Sequence, residues 1–272
     1  MPTLFVVATP IGNLEDVSLR ALRTLRSVRL IAAEDTRTTR RLLDAYDIRT
    51  AVTSYHEHNK WAKLEYLLHY LEVGGDVALV SEAGTPGISD PGHELIVAAS
   101  ERGIPVVAVP GPSVVISALA VSALPTDRFT YLGFLPRQSG SRQRLLRSVA
   151  AEPGTLVILE APHRLQEALQ DILVTLGDRR VAVCRELTKV HEEVFRSSVS
   201  EAIVHFAEPR GEFTLIVEGA QGGPPAPPAR DVERKMRTMR QKGLTAREAV
   251  AEMSRETGLS KRDLYRVWLK LA

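Results

Sequence analysis

The sequence predicts an α/β protein made of two αβ domains and a small helical module at the C-terminal end. Short apolar runs alternate with helix-period segments through residues 1–125, and a second αβ unit follows in residues 126–219. Residues 220–229 are rich in glycine and proline, and residues 230–272 show only helical patterns. Alternating strands and helices are typical of a mostly parallel sheet covered on both faces, so we predict such a sheet in the first domain.

The first domain contains five predicted strands, each a short apolar run. They are Thr3–Ala8, Arg29–Ala33, Ala51–Ser54, Val77–Val80 and Pro105–Val109. Leucines recur at helical spacing between the strands, as at Leu19, Leu22 and Leu25, which indicates helices that pack on the sheet. Pro125 interrupts the pattern, and we expect the domain boundary there.

The second domain repeats the alternation with five further predicted strands. They are Phe129–Phe134, Thr155–Glu160, Arg180–Cys184, Glu193–Arg196 and Glu212–Val217. Residues 220–229 follow as a linker, because a segment of this composition cannot build a core and its prolines keep the chain extended.

Residues 230–272 are expected to form the helical module. Thr245 and Glu248 have the spacing of a capping box, so we predict a helix from Ala246 to Thr257. Ser260 is placed to cap a further helix. The apolar residues of that helix are Leu264, Val267, Trp268 and Leu271. Two short helices joined by a tight turn suit a helix-turn-helix-like fold.

The composition limits the class of protein. Of the 272 residues, 44% are hydrophobic and 25% are charged, which is typical of soluble globular proteins. The single cysteine, Cys184, excludes an intramolecular disulfide and a multi-cysteine metal site, and it fits a reducing compartment. We see no signal-peptide pattern, and the longest apolar run, Val114–Leu124, is too short to span a bilayer. We therefore expect a cytoplasmic protein without a membrane segment.

Positive charge is concentrated in the C-terminal module. Residues 230–272 contain twelve Lys or Arg and six Asp or Glu, whereas the rest of the chain contains 23 and 27. Such an asymmetry is typical of a segment that binds a polyanion, and equally of a solvated helical surface. Charge alone does not decide between the two.

The most informative stretch runs from Asp76 to Gly92, DVALVSEAGTPGISDPG. A buried strand leads into a loop with three glycines and two prolines, which is more than an ordinary strand-to-helix connection needs. The glycines allow a ligand to approach the main chain, and the prolines stiffen the loop. Because open α/β sheets bind ligands at the carboxyl ends of their strands, we predict a binding loop here.

Three other loops are expected at the same edge of the first sheet. They are Thr9–Asn13, Glu34–Arg37 and Pro110–Ser113. The sequence lacks the dinucleotide fingerprint G-x-G-x-x-G and the P-loop G-x-x-x-x-G-K-[ST], which hold pyrophosphate and triphosphate groups. A ligand without phosphates, recognised by main-chain groups and small hydroxyls, fits these loops better, and S-adenosylmethionine is such a ligand.

The loops resemble those of a known superfamily. Ala83–Ile88 is similar to the T-G-D-P-S-I type loop of the tetrapyrrole-methylase-like, or class III, S-adenosylmethionine-dependent methyltransferases, and Pro110–Ser113 is similar to their P-G-x-S element. Within that superfamily the chain most resembles the bacterial ribosomal RNA small subunit methyltransferase I group. The stretches that carry this resemblance are TPIGNLED, AEDTR, SEAGTPGISDPG, PGPS, GFLPR and EAPHR, from Thr9 to Arg164, and more loosely Phe213–Leu215.

The resemblance implies a fold, an activity and a set of contacts. It implies a mixed second sheet, 2′-O-methylation of a cytidine ribose in 16S ribosomal RNA near the decoding centre, and a homodimer that meets this RNA or the small ribosomal subunit. The implied cofactor contacts, mostly through backbone atoms, are Pro10, Gly84, Thr85, Pro86, Ile88, Ser113 and Thr214. Because Thr85 stands where the wider superfamily has an acidic residue, a carboxylate contact is not carried over at that position.

Methyl transfer to a ribose hydroxyl calls for a general base that removes the hydroxyl proton. The candidates are Glu34, Asp35, Glu82, Glu160 and His163, of which we expect Asp35, Glu34 or Glu160 to be catalytic. Asp35 follows a buried strand and should lie at the mouth of the cleft, but it is equally well placed to cap the helix that begins at Thr36. Glu160 and His163 either face the cleft from the second domain or occupy the same helix-start geometry.

Basic side chains mark the candidate RNA contacts. They are Arg37, Arg137, Arg142, Lys261 and Arg262. Arg37 is placed to bind a phosphate beside the cleft, whereas the stretch around Arg137 and Arg142 is either a second RNA contact or a solvated face. We expect no metal site, because His56 and His58 lack a third ligand nearby and suit a structural or RNA-contacting role better.

Two rival functions remain open. A methyltransferase that acts on a small tetrapyrrole would use the same loops, although such a substrate would not need a detachable cationic module. A non-catalytic RNA-binding protein would use the αβ domains as a scaffold only. Measurable binding of S-adenosylmethionine would separate the enzymes from the scaffold.

Overall fold

The computed structural model describes residues 2–220, 229–257, 259 and 261–271. Its strands are β1 (Leu4–Val7), β2 (Leu30–Ala33), β3 (Ala51–Ser54), β4 (Val77–Val80), β5 (Val106–Val109), β6 (Phe129–Phe134), β7 (Thr155–Glu160), β8 (Arg180–Arg185), β9 (Glu193–Ser198) and β10 (Phe213–Val217). Its α-helices are α1 (Leu19–Ser27), α2 (Thr36–Ala45), α3 (Lys60–Glu72), α4 (His93–Glu101), α5 (Val114–Val121), α6 (Ser139–Ser148), α7 (Leu165–Leu176), α8 (Val199–His205), α9 (Ala229–Gln241), α10 (Ala246–Thr257) and α11 (Lys261–Lys270).

Strands β1 to β5 form a parallel sheet in the order β3-β2-β4-β1-β5. Strands β2 and β4 are buried along their whole length, as the continuous apolar runs predicted for strands covered on both faces. Helices α1 and α2 pack on one face through residues such as Leu25 and Leu43. Helices α3 and α4 pack on the other face through residues such as Leu67 and Leu95.

Strands β6 to β10 form a mixed sheet in the order β6-β7-β10-β8-β9. Only β6 and β7 pair in parallel, and the other neighbours are antiparallel. One face of this sheet packs against α6, α7 and α8. The opposite face packs against α5 and Ile11, so the two αβ units share a core in which Ile11 and Leu119 meet Cys184 and Ile216. We call this second face the cleft face.

The C-terminal module is a bundle of α9, α10 and α11 around a small core. Its buried residues are Val232, Met236, Ala249, Val250, Met253, Leu264 and Trp268. The predicted capping box is confirmed, because Thr245 N donates to Glu248 Oε2 (2.9 Å) and Glu248 N donates to Thr245 Oγ1 (3.4 Å). Helix α9 was not among the predicted helices, and the predicted cap at Ser260 lies outside the described residues, as do residues 221–228 of the predicted linker.

Candidate active site

The loops that follow β1, β4 and β5 meet at the carboxyl edge of the first sheet. Thr9 and Gly84 form an isolated antiparallel bridge, in which Thr9 N donates to Gly84 O (2.9 Å) and Gly84 N donates to Thr9 O (3.1 Å). Gly111 lies so close to Ala8 that a Cβ on Gly111 would be 3.1 Å from the Ala8 Cβ. The chain directly after β1 therefore contacts both the loop after β4 and the loop after β5.

The fourth loop joins this cluster through Glu34. The Glu34 main-chain N donates to Val80 O (3.2 Å), and Glu34 Oε2 accepts from Glu82 N (3.1 Å). The carboxylate of the loop after β2 thus reaches the loop after β4, as expected for loops at the carboxyl ends of neighbouring parallel strands.

The loop after β4, residues 81–92, has a backbone that needs glycine. Gly92 has φ +146°, and a Cβ there would be 2.9 Å from Leu79 Cδ2 and 3.2 Å from Gly87 N. Ser89 takes a left-handed conformation with φ +64°, which is strained for a residue with a side chain. Strained backbone of this kind clusters where a loop is shaped for binding.

The same loop contacts the second domain. Ser89 Oγ and Tyr131 OH of β6 are hydrogen-bonded at 2.6 Å. At another point Gly12 lies against the loop between β8 and β9, so that a Cβ on Gly12 would be 2.7 Å from Thr188 Oγ1. The edge of the first sheet and the cleft face of the second therefore meet at two points, and we call the space between them the cleft.

Three carboxylates lie on the first-domain side of this cleft. Burial raises the pKa of Asp90 to about 6, the negative charges of Glu34 and Glu82 add to the rise, and a hydrogen bond from Ser81 acts in the opposite direction. Asp90 was not among the predicted site residues. The signal that marks it is its place in the glycine-rich loop, five residues after Thr85, where it returns a carboxylate to a loop that lacks one at the expected position.

The residues expected to contact the cofactor lie around the cleft, and most of them belong to the first-domain loops. Gly84 and Pro86 are buried, whereas Ile88 is 54% exposed. Ser113 caps α5, because its Oγ accepts from the main-chain N of Ile116 at 3.5 Å. Thr214 is buried on β10 of the second sheet. Their contact with a cofactor stays a prediction.

Asp35 is the N-cap of α2. Its Oδ1 accepts from Arg37 N (2.7 Å) and Thr38 N (3.1 Å). The hydrogen bonds from the backbone of Thr38 and Arg37 lower the pKa of Asp35, which weakens it as a base. Of the two roles expected for Asp35, the structure shows the cap.

Glu160 does not lie in the cleft. Its side chain is fully buried, and its Oε1 accepts from Ala161 N (3.0 Å) and lies 3.3 Å from Arg164 Nε. It pairs across the sheet with Phe213, which belongs to the core under α7. Because paired residues share a face, Glu160 points away from the cleft, and the prediction that it is catalytic is not supported. Burial also raises the pKa of Glu160.

Arg142 is also placed differently from the prediction. It is only 1% exposed, so it cannot offer its guanidinium to an RNA phosphate. Its Nε donates to Asp171 Oδ2 (2.6 Å), and its Nη1 donates to the carbonyls of Pro136 (3.4 Å) and Arg137 (3.3 Å). Arg142 therefore supports the turn that carries Arg137.

The remaining basic candidates are accessible where they are described. The Arg37 side chain is 92% exposed, and Arg137 and Lys261 are exposed. The side chain of Arg262 lies outside the described part of the chain. These exposed side chains are free to approach RNA. Their contact with RNA stays a prediction.

The described residues lack two kinds of feature. No helix among them is both long enough and apolar enough to cross a membrane. No group of three or more His, Cys, Asp or Glu among them is placed to hold a metal ion. The rings of His56 and His58 pack edge to face, with their centroids 6.0 Å apart.

A family model described as Tetrapyrrole (Corrin/Porphyrin) Methylases matches residues 3–203. This range includes both sheets except β10.

Proteins named ribosomal RNA small subunit methyltransferase I are similar to the chain over most of its length. The protein from Synechocystis sp. is 46% identical, over 100% of this chain and 99% of its own. The protein from Halalkalibacterium halodurans is 45% identical, over 98% of this chain and 94% of its own. The protein from Thermotoga maritima is 48% identical, over 81% of this chain and 100% of its own.

Solved structures share the fold at low sequence identity. A diphthine synthase superposes with a TM-score of 0.64 at 11% identity, covering 80% of this chain and 90% of its own. A uroporphyrin-III-C-methyltransferase from Thermus thermophilus superposes with a TM-score of 0.57 at 20% identity, covering 80% of this chain and 94% of its own. The two-sheet arrangement is thus shared with proteins of different substrates.

Proposed function

The chain belongs to the tetrapyrrole (corrin/porphyrin) methylase family, and we propose that it is an S-adenosylmethionine-dependent methyltransferase that acts on 16S ribosomal RNA. The observation that carries the proposal is the match, at 45% and 46% identity over 98% and 100% of the chain, to proteins named ribosomal RNA small subunit methyltransferase I. The proposed product is a 2′-O-methylated cytidine near the decoding centre, which follows from the resemblance of the loops.

The cleft suits a cofactor that carries positive charge. S-Adenosylmethionine has a sulfonium and an ammonium group, and the carboxylates of Glu34 and Glu82 lie close enough to the buried carboxyl of Asp90 to help raise its pKa. A bound cation relieves that repulsion. The proposed backbone contacts are those expected from the resemblance: Pro10, Gly84, Thr85, Pro86, Ile88, Ser113 and Thr214.

The cofactor supplies an activated methyl group, so the protein's part is to align the acceptor, exclude water and take up a proton. The ribose 2′-oxygen forms a bond to the methyl carbon as the sulfur–methyl bond breaks, and the hydroxyl proton passes to a carboxylate. We assign that role to Glu34. It is partly buried at the cleft, whereas an oxygen of Asp35 is engaged in the cap of α2.

Exposed arginines beside the cleft are proposed to hold the RNA backbone. Arg37 lies at the start of α2 and Arg137 at the turn before α6, and both are exposed. Guanidinium groups bind phosphate through paired hydrogen bonds. Lys261 and the basic surface of the C-terminal module extend the positive charge beyond the cleft, which supports a polyanionic partner.

We further propose a homodimer in the bacterial cytoplasm. Strand β5 is an edge of the first sheet and exposes Val107, and Leu19 beside it is 80% exposed. Arg20 Nη2 donates to Ala108 O (2.7 Å), which places the start of α1 next to this edge. A second copy that covers these apolar side chains would account for their exposure, and sedimentation of the purified protein measures the assembly directly.

The test of the function compares acceptors. Purified protein is incubated with radiolabelled S-adenosylmethionine and with small ribosomal subunits, free 16S ribosomal RNA or a reduced tetrapyrrole. We expect label in the RNA of at least one of the first two acceptors and none in the tetrapyrrole. Label in the tetrapyrrole alone would support the small-molecule rival, and failure to bind the cofactor at all would support the scaffold reading.

A further inference from the structure

Phe134, the last residue of β6, is an exposed aromatic side chain at the border of the cleft. It is 54% exposed at the end of an edge strand, although the residue that follows it, Leu135, is 2% exposed in the core. A ring exposed at the border of a cleft is available to stack on a planar ligand.

A β-bulge turns Phe134 to the cleft face. Tyr131 pairs with Val157, and Phe134 pairs with Leu159, but the register shifts between Tyr131 and Gly133. Without the extra residue, Tyr131 and Phe134 would point to opposite faces, because side chains alternate along a strand. With it, both lie on the cleft face, where Tyr131 and Val157 pack against the first domain. Gly133 permits this geometry through its φ of +63°.

Phe134 shares a row of the sheet with Thr214. Phe134 pairs with Leu159, and Leu159 pairs with Thr214 on β10. Two strand spacings separate Phe134 from Thr214, which amounts to about 10 Å along the cleft face. This distance is comparable to the size of one nucleotide, and Thr214 is a residue that we assign to the cofactor.

Two arginines, Arg142 buried and Arg164 partly buried, fix the main chain directly after Phe134. Arg164 Nη2 donates to the carbonyl of Leu135. Arg142 Nη1 donates to the carbonyls of Pro136 and Arg137. Three consecutive carbonyls are therefore held by guanidinium groups. The main chain that carries the exposed ring is rigid as a result. Rigidity lowers the entropy that is lost when a planar ligand settles on the ring.

We propose that Phe134 is a stacking platform for an unpaired base of the RNA substrate, an inference that rests on the proposed function. Every base has a π-face, and proteins that bind unpaired nucleotides stack them on aromatic side chains. The neighbouring Arg137 would hold a phosphate of the same nucleotide or the next. A base on Phe134 would place its ribose toward Thr214 and the carboxylates of the opposite loops.

The test replaces the ring while keeping the rest of the site. Phe134→Ala is expected to lower kcat/KM for small ribosomal subunits by about 10-fold or more, because the stacking contribution is lost. Phe134→Leu should not restore activity, since it returns volume without a π-face, whereas Phe134→Trp should. Binding of S-adenosylmethionine, measured by calorimetry, should be unchanged in all three. Phe129→Ala is the matched control, because Phe129 is 40% exposed at the other end of the same strand.

A second readout does not depend on methyl transfer. The fluorescence of the Phe134→Trp protein should be quenched on titration with 16S ribosomal RNA, relative to the wild type and to Phe129→Trp. Quenching without any methylation by the wild type would overturn the proposed function while supporting the platform. Methylation by the wild type with full activity of Phe134→Ala or Phe134→Leu would overturn the platform. Dissociation of a dimer by Phe134→Ala would also overturn it, by assigning the ring to a subunit interface.

Discussion

Asp90 is partly buried beside Glu34 and Glu82, and this environment raises its pKa to about 6 from an ordinary value of 3.8. The unfolded chain therefore releases this proton at lower pH than the folded chain does. The contribution of protonated Asp90 to the stability of the fold is fully present below its ordinary pKa. That contribution is lost as the pH rises through about 6. At neutral pH the folded protein carries an unfavourable charge at the position where we place a cationic cofactor.

Replacement of Asp90 by asparagine should separate stability from binding. We expect Asp90→Asn to raise the free energy of unfolding by about 1–2 kcal/mol at about pH 7.5, after allowance for solvent screening, and to give no gain at about pH 4. The same variant should bind S-adenosylmethionine more weakly, because a charge that faces the cation is lost. Urea unfolding at the two pH values and calorimetry measure these effects. A variant that is less stable at the higher pH would contradict this account.

The neighbouring pair Glu34 and Asp35 can be tested by variants that separate capping from catalysis. Glu34→Gln is expected to lower kcat, measured at saturating cofactor, by about 10²–10⁴-fold, because the proton acceptor is lost. Its cofactor binding should weaken no more than that of Asp90→Asn. Asp35→Ser keeps a capping oxygen without a carboxylate, so it should retain near-normal stability and turnover. An inactive but stable Asp35→Ser would instead make Asp35 the base.

Single residues were also where the sequence interpretation failed. Glu160 belongs to the EAPHR motif, and Arg142 lies five residues after the GFLPR motif, but neither fact tells on which face of a strand or helix a side chain lies. The register that pairs Glu160 with Phe213 decides its face, and that register is set by a long-range contact. The burial of Arg142 depends on Asp171, 29 residues away. Asp90 was missed because the burial that raises its pKa, and the nearby charges of Glu34 and Glu82, arise only in the folded chain.

At the scale of elements, the turn between β6 and α6 is held by the ion pair of Arg142 and Asp171. Asp171 also accepts hydrogen bonds from Ser139 Oγ (3.0 Å) and Gln143 Nε2 (2.7 Å). Despite the burial of Asp171, these hydrogen bonds and the Arg142 charge lower its pKa, so the pair stays ionised. The network ties α6 to α7 and holds the backbone that follows Phe134.

Removal of one partner from this pair should be strongly destabilising. We expect Arg142→Ala to lower the free energy of unfolding by about 3–5 kcal/mol, because Asp171 is left as an uncompensated buried charge. The control Arg144→Ala, an exposed position on the same helix, should change it by no more than about 0.5 kcal/mol. The double variant Arg142→Met with Asp171→Leu should recover much of the loss. Urea unfolding that finds Arg142→Ala as stable as Arg144→Ala would contradict the role of this pair.

Elements were predictable where a run of strand-forming residues has clear borders. Strands β3, β4, β6 and β7 begin and end at the predicted residues, because apolar runs bounded by glycine, proline or polar residues define them. The bulge at Gly133 was not predictable, since an extra residue in a strand leaves no local pattern. Helix α9 was missed although Val232, Met236 and Met239 have helical spacing. The glycine- and proline-rich segment directly before it favoured the interpretation of a linker.

At the scale of the whole molecule, the C-terminal module is separable from the two αβ units. The Thermotoga maritima relative matches 81% of this chain and 100% of its own length, a share that corresponds to about 220 residues here. A protein that is also named ribosomal RNA small subunit methyltransferase I is therefore about as long as the two αβ units together. The C-terminal module has its own core, which favours an accessory role in RNA binding.

Truncation after residue 220 should leave the cleft intact and weaken the binding of RNA. We expect the shortened protein to bind S-adenosylmethionine as the full chain does. Its affinity for 16S ribosomal RNA should fall, and the dependence of that affinity on salt should become shallower, because fewer phosphates are neutralised. Filter binding over a series of salt concentrations measures both. Equal RNA affinity for the two proteins would show that the module does not contact RNA.

The most direct measurement is the identity of the methylated nucleoside. Small ribosomal subunits labelled by the purified protein with tritiated S-adenosylmethionine are digested to nucleosides, separated and identified by mass. The account predicts that the label resides in 2′-O-methylcytidine, and that Glu34→Gln at saturating cofactor leaves no more than about a hundredth of it. Label on a base, on another ribose or on no nucleoside would contradict the central claim that this cleft delivers a methyl group to a cytidine 2′-oxygen.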